Sequence, residues 1–385
     1  MTEKKIKKIT TTTKRKSAPP KVRAKTKKAS LIQEIGGYFH RPKRTPSPLQ
    51  KFDGNPIIEP DETHGWESQY TFNPAAVYEA GRVHLVYRAI GERGLSVFGY
   101  ASSRDGVHVD ERLDVPMYIS HKPLCAPKAP VVCYTSNSGG SWDGCEDPRL
   151  TKLDDRLYMT YTAFDYYPRV AFTSIDIKDF LEKRWNWKEP VFLSPPGEIH
   201  KNWVIFPEKI NGKYAILHSI TPEIRIDYFD NLDFDGDTFI KSSHASPPRK
   251  KCWDSRVRGV GPPPIRTEDG WLVLYHAIDD LDPGRYKMGA ILLDLNDPKK
   301  ELYRSQRPIL EPDERYENEG FKSGILYSCG AVVVDGTLFV YYGGADTVAC
   351  VATADLKQFL EEVKKGGSPK LAKVAKLAPS RKSQK

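Results

Sequence analysis

DGWLVLYHA (residues 269–277) is a turn of Asp and Gly followed by an alternating apolar strand that closes on an aromatic and a His. The design recurs at 79–89 (EAGRVHLVYRA), 154–163 (DDRLYMTYTA), 211–219 (NGKYAILHS) and 335–344 (DGTLFVYYGG). After a variable gap each stretch is followed by a second strand-like run with a polar exit: GLSVFGYASSRDG, RVAFTSIDIKDF, EIRIDYFDNLD, KMGAILLDLNDP and VACVATADLKQF. A half-buried strand alternates its faces with a period of two, so a turn followed by such a run signals a hairpin rather than a helix. Five hairpins at intervals of roughly 55 to 75 residues predict an all-β, five-bladed β-propeller with its site at the channel mouth, where loops converge.

The 385 residues carry a formal charge of +9, but the charge is not spread evenly. Residues 1–28 hold twelve Lys and Arg against Glu3, and residues 364–385 hold eight and no acid, so the segment between is net acidic. The basic balance therefore belongs to the ends. Both ends lack the apolar content that offsets ordering entropy. They are expected to be disordered basic tails (1–35 and 363–385) flanking one catalytic domain (36–362), with nucleic acid or an anionic surface a partner through the tails only. DLKQFLEEVKK, near the end, has apolar residues at helical spacing and is expected to form a helix on the domain's rim. No apolar stretch follows the first lysines, which predicts neither signal peptide nor membrane helix and a cytoplasmic protein. Cys125, Cys133, Cys145, Cys252, Cys329 and Cys350 show no zinc-type spacing and read as reduced thiols. Asp61, His64 and Glu67 lack further ligands nearby, so no metal is expected.

The sharpest local cluster is Cys145-Glu146-Asp147-Pro148-Arg149. Two carboxylates beside a Pro of fixed φ and an Arg let neighbours decide which acid stays neutral. The same residues also suit a plain turn with an ion pair between Glu146 and Arg149.

Together with NPAAV from Asn73, HKNWVIFPEKINGKY, RGVGPPPIRTEDGWLVLYHA, YKMGAILLDL and LFVYYGGADTVACVATADL, this cluster resembles glycoside hydrolase family 130. The resemblance runs in order from about Phe72 to Leu356 and implies an inverting enzyme acting on β-mannosides, with β-linked manno-oligosaccharide as partner and no cofactor beyond inorganic phosphate in a phosphorylase. It places the general acid at Asp147, whose proton passes through a hydroxyl of the bound mannose. Inversion needs a nucleophile on the opposite sugar face, either water or phosphate. Arg88, Asn202, His276 and Tyr286 match positions of family site residues, and Glu146, Arg149, Lys201 and Asp346 join them as substrate contacts. Asn73 suits a sugar hydroxyl or a cap on the turn before Pro74. Trp203, beside His200-Lys201-Asn202, is the favoured stacking platform, with Trp142, Tyr166, Trp253 and Tyr286 as further aromatic candidates.

For phosphate, His200, Arg256 and Arg258 are the additional cationic candidates. Two departures count against it: Leu217-His218-Ser219-Ile220 stands where the family's phosphorylases carry an Arg, and Val257 stands where they carry a Lys. The expected reaction is therefore β-1,2-mannoside hydrolysis, with Glu208 as the first candidate base and Glu223 and Asp254 behind it. Glu208 also suits a role in orienting hydroxyls. Phosphorolysis to mannose 1-phosphate is the alternative, and a non-catalytic glycan- or protein-binding propeller is the reading from another class.

Overall fold

The computed structural model describes residues 49–120, 143–165, 167–242, 249 and 252–365. The chain divides into Met1–Pro46, outside the described residues, and Ser47–Lys385. The expected tails also lie outside them, except for residues 363–365, which end the last helix.

Strand β1 (Gln50–Lys51) precedes β2 (Tyr70–Glu79), β3 (Arg82–Ile90), β4 (Leu95–Ser103) and β5 (Glu111–Arg112). Next come β6 (Asp143–Leu153), β7 (Arg156–Asp165), β8 (Tyr167–Asp176), helix α1 (Ile177–Leu181) and β9 (Val191–Phe192). A short unit, β10 (Val204–Ile205), β11 (Tyr214–Ile220) and β12 (Ile224–Phe229), follows. β13 (Arg256–Val260), β14 (Ile265–Thr267), β15 (Gly270–Asp279), β16 (Asp282–Leu293) and β17 (Glu301–Arg304) lead to helix α2 (Arg315–Asn318). The described chain ends with β18 (Leu326–Val334), β19 (Thr337–Gly344), β20 (Val348–Asp355) and helix α3 (Leu356–Lys365).

All five turn-and-strand repeats become the first strand of an antiparallel pair: β3, β7, β11, β15 and β19 pair with β4, β8, β12, β16 and β20. The expectation of an all-β five-bladed propeller does not hold. The strands fall into four open sheets of four, three, five and eight strands, and with three helices the described chain is a mixed α/β fold. β4 runs parallel to β6, pairing Leu95 with Asp143 and Ser96 with Gly144, and this merges two hairpin units into one sheet. Gly144 permits the approach: its φ is +105°, and a Cβ there would strike the Ser96 carbonyl. A hairpin repeat specifies local pairing, but which edges then meet depends on contacts far apart in sequence.

Leu272, Leu274, Leu292, Leu338, Val340 and Ala352 pack into one core between the last two hairpin units, and α3 closes it with Phe359, Leu360 and Val363. Each such Leu buried in full stabilises by roughly 1.5–3 kcal/mol. The helix expected from the spacing of Leu356, Phe359, Leu360 and Val363 is thus present, with its apolar face inward. Among the described residues no helix is long and apolar enough to cross a membrane.

The feature that positions the site is a set of irregularities near the starts of the hairpin units. The β2–β3 register shifts between Phe72 and Ala75, β6–β7 between Glu146 and Arg149, β13–β15 between Val257 and Gly259, and β18–β19 between Ser328 and Gly330. A bulge inserts an unpaired residue and re-aims its side chain. Asn73 and Asp147 occupy the first two, at φ 49° and 53°, each followed by a Pro that has no N–H to lose from the ladder. Holding a non-glycine residue there costs on the order of 1–3 kcal/mol, which the surrounding sheet must offset.

Candidate active site

The two bulges bring Asn73 and Asp147 together: Asn73 Nδ2 donates to Asp147 Oδ1 at 2.8 Å. Gly343 backs this pair, since a Cβ there would run into Asn73 Oδ1. Arg88, on β3, extends to the same place, with Nη1 3.6 Å from Asp147 Oδ1. Its Nη2 donates to Glu146 Oε1 at 2.6 Å, and its Nε to Ser96 Oγ at 2.9 Å. Lys201 approaches from the segment before β10, with Nζ 3.4 Å from Glu146 Oε2 and 3.9 Å from Asp147 Oδ2.

Arg149 anchors the floor. It donates to the Asp147 carbonyl (2.8 Å), the Gly261 carbonyl (2.8 Å) and Asn202 Oδ1 (2.9 Å). Asn202, at φ 67°, also accepts from Tyr327 Oη at 2.5 Å and donates to the Arg258 carbonyl at 2.8 Å. The Tyr327 ring stacks on His276, with centroids 4.1 Å apart, and His276 Nε2 accepts the Ser328 N–H at 2.8 Å.

Burial alone would push the Asp147 carboxyl up. The charges of Lys201, Arg88 and Arg149 and the Asn73 hydrogen bond outweigh it and bring the group down to about 2. The surrounding cations therefore favour the ionised form of Asp147. Asp346, at φ 50° with Lys322 Nζ 3.3 Å away, is driven the other way: burial raises it and the Asp147 charge adds to that, against Lys322 and Arg88. Burial, reinforced by Arg149, lowers His276 to about 3, so its imidazole is neutral.

The remaining sequence candidates scatter. Arg258 is exposed and donates to Tyr286 Oη at 2.8 Å, forming a cationic rim. His200 is buried beside Trp203, its Nε2 2.7 Å from Glu198. Trp203 is 2% exposed and packs with Leu153, Ile205 and Ile216. With so little surface free, it offers no face for a sugar to stack on. Arg256 lies on the outside, paired with Asp280. Glu208 is more than half exposed and paired with Arg266 at 3.2 Å. Glu223 is exposed beside Arg225, and Asp254 is buried, accepting from Tyr275 Oη at 2.7 Å and ion-paired with Arg249. Among the described residues, none of these three carboxylates contacts the Asp147 cluster. Trp142 and Tyr166, like Cys125 and Cys133, lie outside the described residues.

Tyr327 and Lys322 were not legible beforehand. Both precede the β18 bulge in a stretch, GFKSGILYSCG, whose one charge, Lys322, has no acid or proline beside it. Asp61, His64 and Glu67 do cluster, with ligating atoms within 4.8 Å of one another. Both Glu67 carboxylate oxygens are already engaged, by His64, Tyr87 and Arg112, and Asp61 Oδ1 is engaged by Thr63.

Residues 48–365 match a family model described as beta-1,4-mannooligosaccharide phosphorylase of the glycoside hydrolase 130 group. A 1,2-beta-oligomannan phosphorylase of Thermoanaerobacter sp. (strain X514) is 38% identical over 323 residues, covering 80% of this chain and 98% of that one. A beta-1,2-mannobiose phosphorylase of the same organism is 36% identical, covering 80% and 97%. Among solved structures, the beta-1,2-mannobiose phosphorylase from Listeria innocua in complex with beta-1,2-mannobiose superposes with a TM-score of 0.63 at 27% identity, covering 82% of this chain and 99% of that one.

Proposed function

The chain belongs to glycoside hydrolase family 130 and acts on mannosides, and from that premise we propose that it is an inverting phosphorylase that cleaves β-1,2-linked oligomannosides with inorganic phosphate. The observation that carries this reading is the charge pattern around Asp147. Arg88, Lys201 and Arg149 converge on it, while Glu146 is committed to Arg88 and Lys201 and Asp346 to Lys322. Water would need a free carboxylate as base, and Glu208, the candidate expected for hydrolysis, is turned to the outer surface. Phosphate brings its own negative charge and needs cations instead. The two most similar relatives described above are phosphorylases of β-1,2-linked substrates, which supports the same choice.

In this reaction a phosphate oxygen forms a bond to C1 of the terminal mannose as the bond from C1 to the glycosidic oxygen breaks. Inversion turns the β-linkage into α-mannose 1-phosphate. The leaving oxygen takes a proton derived from Asp147 through a mannose hydroxyl. Asp147 is ionised in the empty site, so the arriving anion has a second effect. A negative charge near a carboxylate disfavours its ionised form, so phosphate beside Lys201 opposes the field that strips Asp147 of its proton and pushes that carboxyl back up. Phosphate is then both nucleophile and the group that readies the acid.

Incubating the protein with β-1,2-mannobiose, with and without phosphate, tests the reading. Mannose 1-phosphate formed only with phosphate is the expected product. Free mannose formed at the same rate without phosphate overturns it in favour of hydrolysis.

A further inference from the structure

Resting on the phosphorylase reading, we propose that His218 is a ligand of the phosphate, donating from Nε2 into the cavity beside Lys201. His218 lies on β11, where the pairing with β12 passes from Leu217–Ile226 to Ser219–Arg225 and leaves His218 as the extra residue of a bulge. It is the same device that aims Asn73 and Asp147. Here it points an imidazole rather than an amide or a carboxylate.

Three further observations converge on it. His218 lines a cavity of about 50 Å³ together with His200, Lys201, Asn202, Thr221 and Arg258. A single water needs only about 10–15 Å³ of such space, so there is room for a small oxyanion. The His218 side chain is 2% exposed, and its Nε2 has no hydrogen-bond partner among the described residues, the nearest acid being Asp227 Oδ1 at 3.9 Å. Buried polar atoms are rarely left unpaired, and because His218 also lines this polar cavity, a ligand held there is the partner that its Nε2 lacks. Finally, Nδ1 lies 2.8 Å from Ser242 Oγ. With the Ser242 hydroxyl donating to Nδ1, the ring proton sits on Nε2, where an anion can accept it.

Lys201 links the cavity to the reacting centre: it lines the cavity and its Nζ stands 3.9 Å from Asp147 Oδ2. Its cations are Lys201 and Arg258. The acids nearby, Glu198 and Asp227, face His200 and His218 from outside the lining. Burial lowers the basicity of His218, so it donates as a neutral ring. Neither departure from the family's phosphate pattern, Ser219 or Val257, removes this contact.

The test uses the full-length protein with inorganic phosphate as the probe. Phosphorolysis of β-1,2-mannobiose is followed at varied phosphate for wild type, His218→Asn, His218→Gln and Ser242→Ala. Asn keeps a polar group near Nδ1 but deletes Nε2, whereas Gln places an amide nitrogen near Nε2. Losing one hydrogen bond to a charged ligand should raise KM for phosphate about 10- to 100-fold in His218→Asn. KM for mannobiose should stay within about twofold, Gln should recover most of the loss, and Ser242→Ala should weaken phosphate in the same direction but less. Phosphate should also raise the Tm of wild type and not that of His218→Asn. A wild type that makes mannose 1-phosphate while all three variants keep its phosphate KM and Tm response overturns the inference. A wild type that forms only free mannose yet is stabilised by phosphate through His218 refutes the phosphorylase reading and leaves the anion contact standing.

Discussion

Replacing Asp147 by Asn separates the chemical from the structural role of the residue on which the site is built. Asn has the same shape and tolerates the left-handed φ of 53° as well as Asp does, so the bulge is retained. What it removes is one charge and one proton carrier. Because the folded-state pKa is depressed, to about 2 from an unfolded value of 3.8, the ionised Asp147 contributes stability that is fully present above pH 3.8 and is lost as pH falls through 2. The shift is worth about 2–3 kcal/mol. Asp147→Asn should lower the unfolding free energy by that amount at pH 7, by nearly as much at pH 4, and by roughly half as much at pH 3. Urea titrations of both proteins at the three pH values measure this. On the chemical side, a positioned acid contributes about 10²–10⁴-fold, so mannose 1-phosphate release from β-1,2-mannobiose should drop by at least 10² while mannobiose still binds. A variant that keeps more than a tenth of the wild-type turnover would refute the role of Asp147, and one whose stability is unchanged at pH 7 would refute the electrostatic account of its environment.

Three other substitutions probe the same arrangement. Arg88→Met removes the guanidinium 2.6 Å from the buried Glu146 carboxylate, and should destabilise by about 3 kcal/mol, the low end for a broken buried pair, read from the urea midpoint. Gly343→Ala places a methyl group against Asn73 and should pull it off Asp147; kcat should fall about tenfold with little change in KM, and an unaltered kcat would mean that the hydrogen bond between Asn73 and Asp147 is dispensable. Glu208→Gln should leave turnover within about twofold of wild type and stability within about 1 kcal/mol, because its exposed pair with Arg266 is weak; a hundredfold loss of kcat would return Glu208 to the reaction as a base.

Much of the site could be read in the sequence because it is carried by short motifs. NP at Asn73 and EDPR at Glu146 mark bulges as well as chemistry, since a Pro is tolerated in a strand where the ladder is already broken. Arg88 and His276 sit at the ends of repeat strands, where alternation and chain order predict their neighbours. Trp203 and Glu208 show where such reading ends. Both lie in HKNWVIFPEK, and nothing in that string says that the indole is enclosed by three strands' side chains or that the carboxylate faces Arg266 from β14. His218 escaped for a similar reason, because a bulge without Pro or Gly leaves no mark in the sequence.

The chain's own residues were enough to identify the ten hairpin strands, the acidic character of the body between basic ends, the amphipathic last helix and the family. These depend on turn chemistry and on periodicities of a few residues, which are local properties. Tertiary structure decided that the first two hairpin units share one open sheet instead of forming separate blades, and that three cations and an amide surround the Asp147 carboxyl. Sheet edges and electric fields are sums over groups distant along the chain, as with Asn73 and Lys201, 74 and 54 positions from the carboxylate they act on. Only folding brings those groups within a few ångströms, where their charges and hydrogen bonds act on a single carboxylate.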